Sequence, residues 1–246
     1  IYNGTSTNQT GDSTMINTYQ TFNSSDNNNM YVGYMYKRGE VHGLVESSDI
    51  KKELDEWYLA NLVDEAEYLD GNAGFCGDRY PSTSSSSSNG QGGTGTSTTY
   101  YAAYNRLVKS KNPSFKCTDS QDLYTTPGSS KGNGALKVTP SDNDSTPTPI
   151  GLITADEVAF AGGVYGSNNT SYYLYNNAYY WTMSPSYFYS TSTSSRAYVF
   201  FVRSDGALGD VWVNNTNGVR PVINIKADTE ITGSGTTSDP FSVVGA

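Results

Sequence analysis

The sequence has little charge, one histidine and two cysteines. Only 16% of its 246 residues are charged, against about 25% in an average domain. Acidic residues outnumber basic ones by 24 to 15, which gives a net charge of −9. No basic stripe is present that would neutralise phosphates, so we exclude nucleic acid as a partner. No run approaches the ~18 apolar residues of a membrane span, so we expect no membrane contact within this chain.

The single histidine limits the chemistry that the chain can perform. A Ser/His/Asp arrangement would have to use His42, and no G-x-S-x-G motif accompanies it. One histidine and no C-x-x-C motif leave a zinc site incomplete. We therefore predict no catalytic residue, no metal site and no cofactor. Two oxygen-rich sets are candidate calcium ligands, although their spacing differs from an EF-hand: Asp142, Asn143 and Asp144, and Asp70, Asn72 and Asp78.

The two cysteines indicate an oxidising compartment. An even pair in a chain of this surface-like composition favours a disulfide between Cys76 and Cys117, with two buried free thiols as the alternative. The chain starts at Ile1 without a signal peptide, so it reads as a mature form or an excised ectodomain whose anchor lies upstream. We expect an extracellular location, on a cell surface or a virion surface.

The pattern of hydrophobic and turn residues predicts an α+β fold in one ligand-binding domain. Residues 1–29 are polar and are predicted to be an extended lead-in, residues 30–226 the domain, and residues 227–246 a C-terminal tail. Met30 to Tyr36 (MYVGYMY) consists of β-formers and predicts the first strand.

Two short helices are predicted. The first spans 49–62, where Ile50, Leu54 and Trp57 follow helical spacing and the pairs Lys51–Asp55 and Lys52–Glu56 lie four residues apart. The second spans 154–161, where Thr154 and Glu157 form a capping box and Gly162 and Gly163 end the helix.

The last third of the chain is predicted to be β-structure. Segments 197–204 (AYVFFVRS) and 207–213 (ALGDVWV) flank Asp205-Gly206, which predicts a hairpin with a type I′ turn. Asn217-Gly218 predicts a second turn, followed by a strand over 219–225 in which Pro221 requires an edge or a bulge.

The composition of this C-terminal region favours ligand binding. It is rich in Tyr, Ser and Asn, with a few Trp and Arg, as antibody-type binding surfaces are. Strand alternation would place Phe201 and Arg203 on one face together with Asp210, Trp212 and Asn214. The predicted ligand-binding residues are Tyr187, Tyr189, Phe201, Arg203, Asp210, Trp212, Asn214, Asn215 and Asn217.

Two segments resemble a known family. Residues 152–163 (LITADEVAFAGG) resemble the L-x-T-E-A-E-W-E-Y-A-A-R-G-G helix of formylglycine-generating-enzyme-like proteins, and residues 218–222 (GVRPV) resemble their closing G-F-R strand. Residues 181–222 look like the variable segment of proteins diversified by retroelements, and the wider pattern looks like surface or pilin-like proteins of gut Firmicutes and their phages. The helix lacks the family's Trp, the G-G-S-W segment is missing, and the cysteines lie far from the family's catalytic thiols.

The resemblance implies a C-type-lectin-like scaffold that displays variable side chains on a C-terminal sheet. The expected function is therefore non-enzymatic recognition of a protein or glycan ligand. A structural subunit that assembles into a pilus or surface appendage is the first alternative. A carbohydrate-active enzyme is the second, and it would need two carboxylates converging in a cleft.

Overall fold

The structure is a computed structural model that describes residues 16–40, 42–82, 97–138, 144–236 and 238–245. The elements confirm a mixed α+β fold in which strands predominate. The strands are β1 (Ile16–Thr21), β2 (Met35–Tyr36), β3 (Glu46–Ser47), β4 (Phe75–Cys76), β5 (Thr99–Tyr100), β6 (Leu123–Tyr124), β7 (Gly151–Leu152), β8 (Tyr180–Ser190), β9 (Ser195–Val202), β10 (Leu208–Trp212), β11 (Thr216–Val219), β12 (Pro221–Val222), β13 (Ile231–Thr232) and β14 (Ser242–Val243).

Helical structure is short. The α-helices are α1 (Asp49–Asn61), α2 (Ala102–Tyr104) and α3 (Ala155–Ala161). The segment Asn105–Ser110 continues α2 as a π-helical turn, and 3₁₀ turns span Asn29–Val32, Val63–Tyr68 and Ser120–Asp122. Among the described residues, no helix has both the length and the apolar character needed to cross a membrane.

A six-stranded sheet organises the described part of the chain. Its order is β1-β11-β8-β9-β10, and β5 also pairs with β8. The pairing of β11 with β8 is parallel, and the other pairings in this sheet are antiparallel. Pro185, in the middle of β8, lies where the register with β9 shifts on both sides. Proline is tolerated there because a bulge leaves one residue outside the hydrogen-bonded ladder.

Strand β9 of this sheet is covered on both faces along most of its length. Ala197 and Val199 of β9 join one hydrophobic cluster with residues of α1, while Phe200 and Val202 join a second cluster with residues of α3. A strand covered on both faces needs apolar residues at successive positions, which explains the run YVFFV in β9. The layers are therefore helix, sheet and helix.

Helix α1 confirms the prediction over 49–62. The Ser48 side chain accepts a hydrogen bond from the Lys51 amide, and Ile50, Leu54 and Tyr58, spaced by four residues, are buried. Trp57, predicted to be core, is only partly buried against the first cluster.

The predicted Lys51–Asp55 pair is present and buried, with 2.5 Å between Lys51 Nζ and Asp55 Oδ2. The predicted Lys52–Glu56 pair is replaced by a contact of 3.9 Å between Lys52 Nζ and Asp49 Oδ1.

Helix α3 also confirms its prediction. The capping box of Thr154 and Glu157 is formed, and Gly162 ends the helix at a φ of +123°. Val158 is buried, whereas Phe160 is 48% exposed and stacks on the exposed ring of Phe115 with 4.0 Å between centroids.

The predicted N-terminal boundary differs from the structure. Residues 16–29, assigned to the lead-in, belong to the fold: β1 pairs with β11, and Phe22 is buried edge-on against Trp181. The predicted strand over 30–36 is instead the 3₁₀ turn followed by β2, and all seven residues are buried. An apolar run without alternation does not distinguish a strand from other buried backbone. Residues 1–15 lie outside the described part.

The predicted disulfide between Cys76 and Cys117 is confirmed, with an S–S distance of 2.02 Å and a sequence separation of 41. Cys76 lies in β4, which pairs with β6. The C-terminal segment predicted as a tail carries the β13–β14 hairpin, and its large apolar side chains Ile231, Phe241 and Val244 are exposed.

The β9–β10 hairpin is confirmed, but its predicted type I′ turn is wrong. Gly206 has a φ of +79°, while Asp205 is not in the left-handed region that a type I′ turn requires at both positions. The Gly206 amide donates to Arg203 O, and the Arg203 amide donates to Ala207 O, both at 2.9 Å. These contacts define a three-residue loop with glycine at the left-handed position. As a result, Asp210 pairs with Phe200, whereas a two-residue turn would pair it with Phe201.

The turn predicted at Asn217-Gly218 is also wrong. Both residues lie within β11, which ends at Val219, and the next strand, β12, begins at Pro221. Pro221 begins β12, which pairs with β7 in a separate two-stranded sheet, and this position matches the expectation of an edge.

Candidate functional site

A row of aromatic side chains crosses four strands of the sheet. Tyr100 of β5 lies directly opposite Tyr187 of β8, Tyr187 opposite Tyr198 of β9, and Tyr198 opposite Trp212 of β10. Directly opposed residues of antiparallel strands point to the same face of a sheet. Their ring centroids lie 5.6, 4.3 and 6.3 Å apart in that order. Tyr104 of α2 adds a fifth ring, 4.7 Å from Tyr100 and 5.8 Å from Tyr187.

We call these five residues the aromatic strip. The four tyrosines are half-buried, and Trp212 is 38% exposed. The rings therefore pack against one another and leave part of their surface exposed to a ligand. Aromatic pairs at these separations hold their rings in fixed positions, which lowers the entropy cost of binding.

A cation lies at each end of the strip. The guanidinium of Arg196 lies 4.2 Å from the centroid of the Trp212 ring, and its Nη1 lies 2.6 Å from Asp26 Oδ2. At the other end, Lys109 Nζ lies 5.7 Å from the centroid of the Tyr104 ring. These contacts show that ring faces of the strip attract positive charge.

Asp210 places a carboxylate beside the strip. It lies two residues before Trp212 on β10, and therefore on the same face. Its Oδ2 accepts hydrogen bonds from Tyr165 Oη at 2.8 Å and from Ser186 Oγ at 3.2 Å. Burial raises the pKa of this carboxyl, and the two hydrogen bonds only partly offset that effect. No ion pair to Asp210 is present in the described part of the chain.

The charge of Asp210 reaches the surrounding tyrosines. Burial, and next the negative charge of Asp210, raise the pKa of Tyr165 and of Tyr187. Burial and the neighbouring Tyr100 raise the pKa of Tyr104, and Asp210 adds to that rise. Asp210 is thus a single carboxylate among phenol rings that stay neutral.

Four predicted ligand-binding residues lie on this face. Tyr187 and Trp212 belong to the strip, and Asp210 lies beside it. Tyr189 is 41% exposed, on the same face of β8 as Tyr187 and opposite Arg196.

Other predicted residues lie elsewhere. Phe201 is on the opposite face, partly buried and stacked on Tyr179 with 5.9 Å between centroids. Arg203 is exposed, with its Nη2 2.9 Å from Asp205 Oδ2. The prediction placed both residues beside Asp210 and Trp212 because it assumed a two-residue turn. The structure has a three-residue loop, and the resulting shift of one residue in register moves these side chains to the other face.

The three predicted asparagines differ in exposure. Asn214 is exposed and Asn215 is half-buried, both just after β10. Asn217 was predicted to bind ligand, but it is only 6% exposed within β11, so its side chain is not displayed.

Sequence reasoning missed much of this face. Tyr100 and Tyr104 follow a stretch rich in Ser, Thr and Gly over 81–99 of the sequence, and no local signal connects them with the C-terminal strands. Tyr165, which holds Asp210, precedes β8 by many residues. A two-residue turn would put Tyr198 on the face opposite Asp210. The signal for the observed register is glycine at the last position of a three-residue hairpin loop.

A separate cavity of about 370 Å³ lies beside the disulfide, and Asp78, Arg106 and Asp156 are among its lining residues. Arg106 Nε and Nη2 donate to Asp156 Oδ1 and Oδ2 at 2.8 and 2.7 Å, and Nη2 also contacts Asp78 Oδ2. The Ser114 amide donates to Asp156 Oδ1 at 2.8 Å.

Two carboxylates thus converge at this cavity, as a glycoside hydrolase would require. However, they share one guanidinium, and both oxygens of Asp156 are already acceptors. The arrangement is that of a cross-brace between segments and does not favour acid–base chemistry. The acidic side chains of 64–67 lie in the 3₁₀ turn Val63–Tyr68, away from this cavity lining.

The remaining polar candidates have structural contacts. Asp70 Oδ1 accepts from the amides of Asn72 and Ala73, which is the pattern of a turn. His42 Nε2 contacts Asp122 Oδ1, and Asp122 Oδ2 accepts from the Arg79 amide at 2.7 Å. The described residues contain no group of three or more His, Cys, Asp or Glu side chains arranged to hold a metal. Asp142 and Asn143 lie outside the described residues.

Comparison with known proteins gives no relative: no protein-family model matches the chain, and neither a curated protein nor a solved structure matches it.

Proposed function

We propose that this chain is an extracellular recognition domain that binds a protein or glycan ligand through the aromatic strip. The observation that carries the proposal is the row of four rings directly opposed across β5, β8, β9 and β10. Rigid, half-exposed rings supply contact area at low entropy cost, and residues of this kind dominate binding energies at interfaces.

Three further features support the proposal. The chain has low charge and many hydroxyl and amide side chains, which suits hydrogen bonding to a polar ligand. Its disulfide is typical of an oxidising compartment. Two helices on opposite sides of a C-terminal sheet also fit the C-type-lectin-like scaffold of the variable surface proteins that the motifs resemble, and we include that scaffold in the proposal.

The test is binding of the purified protein to a glycan array and to an array of extracellular proteins. Trp212→Ala removes the most exposed ring of the strip, and Tyr173→Ala removes a 71% exposed ring outside it as a matched control. At a binding hot spot, loss of the tryptophan weakens affinity by about 30-fold, which corresponds to about 2 kcal/mol. The control should bind like the wild type.

The proposal fails if the wild type binds nothing on either array, or if both variants bind equally. Concentration-dependent assembly without ligand binding would instead favour the structural, pilin-like role. Equal melting temperatures of the two variants would show that the comparison reports binding and not folding.

A further inference from the structure

The strongest unexplained feature beside the strip is the carboxylate of Asp210. Both of its described hydrogen bonds use Oδ2, from Tyr165 and Ser186. Its Oδ1 makes no hydrogen bond among the described residues, and it is not one of the fully buried side-chain atoms that lack a hydrogen-bond partner. Oδ1 is therefore open to an incoming donor, while Oδ2 fixes the orientation of the group.

The groups around this carboxylate select what can bind it. Tyr165 and Ser186 hold Oδ2 by their hydroxyls, and Phe200 lies opposite on β9. The charge of Asp210 contributes to the raised pKa of Tyr104 and of Tyr187. A half-buried carboxylate without a countercharge is costly, because burial removes the water that would solvate it. The neighbouring phenol rings carry no charge that would neutralise the carboxylate, and aromatic rings attract cations and not anions.

Two cationic side chains of the described residues lie at the ends of the strip. Arg196 is paired with Asp26 and lies over the Trp212 ring. Lys109 is an exposed residue of the π-helical turn whose Nζ lies near the Tyr104 ring. Neither forms an ion pair with Asp210 among the described residues. The net charge of −9 would draw positively charged ligands toward the protein in general.

We infer that Asp210, with the surrounding tyrosine rings, forms a subsite for a cationic group, and that the group is the ammonium or guanidinium of a Lys or Arg side chain on a protein partner. This inference rests on the proposed recognition function and narrows its ligand to a protein that presents a basic residue. The cation would donate to Oδ1 beside the phenol rings of Tyr104 and Tyr187.

The shape of the surface favours a protein over an amino sugar as the ligand that supplies the cationic group. The strip extends across four strands to Trp212, so a ligand anchored at Asp210 would lie along several rings in succession. An extended peptide segment can follow such a row, with one basic side chain at the carboxylate. Glucosamine carries the same ammonium on a single ring and serves as the competing source in the test.

The experiment measures binding of small probes to the whole chain by NMR titration of its tyrosine ring signals. The probes are acetyl-Gly-Lys-Gly-amide, its arginine and norleucine counterparts, and glucosamine. We expect the lysine and arginine peptides to bind at least about tenfold more tightly than the norleucine peptide. The norleucine peptide keeps the aliphatic stem and removes only the charge.

Matched variants then locate the site. Asp210→Asn keeps the size of the side chain and its acceptor for Tyr165 and Ser186, and it should reduce lysine-peptide binding to the norleucine level. Asp228→Asn makes the same change of net charge at an exposed position of the C-terminal segment, and it should leave binding unchanged. Tyr187→Leu should weaken binding severalfold while the carboxylate stays in place.

Three results would overturn the inference. The first is equal binding of the lysine and norleucine peptides, and the second is an equal effect of the Asp210 and Asp228 variants. The third is tighter binding of glucosamine than of the lysine peptide, which would assign the subsite to an amino sugar. A loss of array binding in Trp212→Ala together with any of these results would retain the proposed function and reject only the cationic subsite.

Discussion

Removing the disulfide gives the prediction whose magnitude follows most directly from the structure. Cys76 and Cys117 close a loop with a sequence separation of 41. Without the disulfide, the unfolded chain gains conformational entropy because this loop is no longer closed. In the chain-entropy treatment, this gain lowers the free energy of unfolding by about 4 kcal/mol at 25 °C. For a chain of this size, each kcal/mol corresponds to about 2–4 °C in melting temperature. The variant Cys76→Ala/Cys117→Ala should therefore melt about 8–16 °C below the wild type.

The segment around Cys117 also carries part of the Arg106 cross-brace. Ser114, whose amide donates to Asp156, and Thr118, whose hydroxyl accepts from Arg106 Nη1 at 3.2 Å, lie on either side of Cys117. Loosening the loop should therefore weaken these contacts as well, which places the expected loss toward the upper part of the range.

Thermal unfolding followed by circular dichroism measures the change. A reducing agent should lower the melting temperature of the wild type to that of the double variant, and it should leave the variant itself unaffected. A wild type and variant that melt within about 2 °C of each other would refute the reasoning, because the loop would then contribute no entropy to the unfolded state.

Three further predictions concern buried charge. Arg106→Met leaves its two buried carboxylate partners without a countercharge, and urea denaturation at pH 7 should show a loss of about 3–5 kcal/mol; a loss under about 1 kcal/mol would contradict the brace. Lys51→Met should cost a similar amount because Asp55 is then buried alone, whereas Lys51→Met/Asp55→Leu should recover most of it in the same assay. Burial raises the pKa of the Asp210 carboxyl in the folded chain above its unfolded value of 3.8. Between these two pKa values the folded chain keeps a proton that the unfolded chain has released. The free energy of unfolding therefore falls as the pH rises from 3.8 through the folded-state pKa. Asp210→Asn should therefore raise the melting temperature at pH 7, with the gain vanishing near pH 3.8; a lower melting temperature at pH 7 would show that the carboxylate stabilises the fold.

Local signals in the sequence predicted the elements whose stabilising contacts are themselves local. The capping box of Thr154 and Glu157 located α3, and apolar spacing located α1, because hydrogen bonds and side-chain contacts within one helix span only three or four residues. The cysteine pair and the C-terminal hairpin were predicted for similar reasons, one from composition and one from Asp205-Gly206 between two β-forming runs.

The same local signals failed where contacts are distant or where one residue of register matters. The segment over 30–36 is apolar throughout, and only its burial among other elements decides that it forms a turn and a two-residue strand. Asn217-Gly218 has the composition of a turn, yet it is held in β11 by pairing with β1, which is distant in sequence, and with β8.

The sequence by itself determined the α+β class, the two longer helices, the disulfide and the aromatic, weakly charged character of the C-terminal strands, since each depends on composition or on contacts within a few residues. Only the tertiary structure decided which residues form the strip. Tyr100 and Tyr104 meet Tyr187 through pairing across many residues, and a three-residue loop in place of a two-residue turn moved Phe201 away from Asp210 and brought Tyr198 beside Trp212. Side chains alternate with a period of two along a strand, so this single residue of register determines the face on which every side chain of β10 meets its partners.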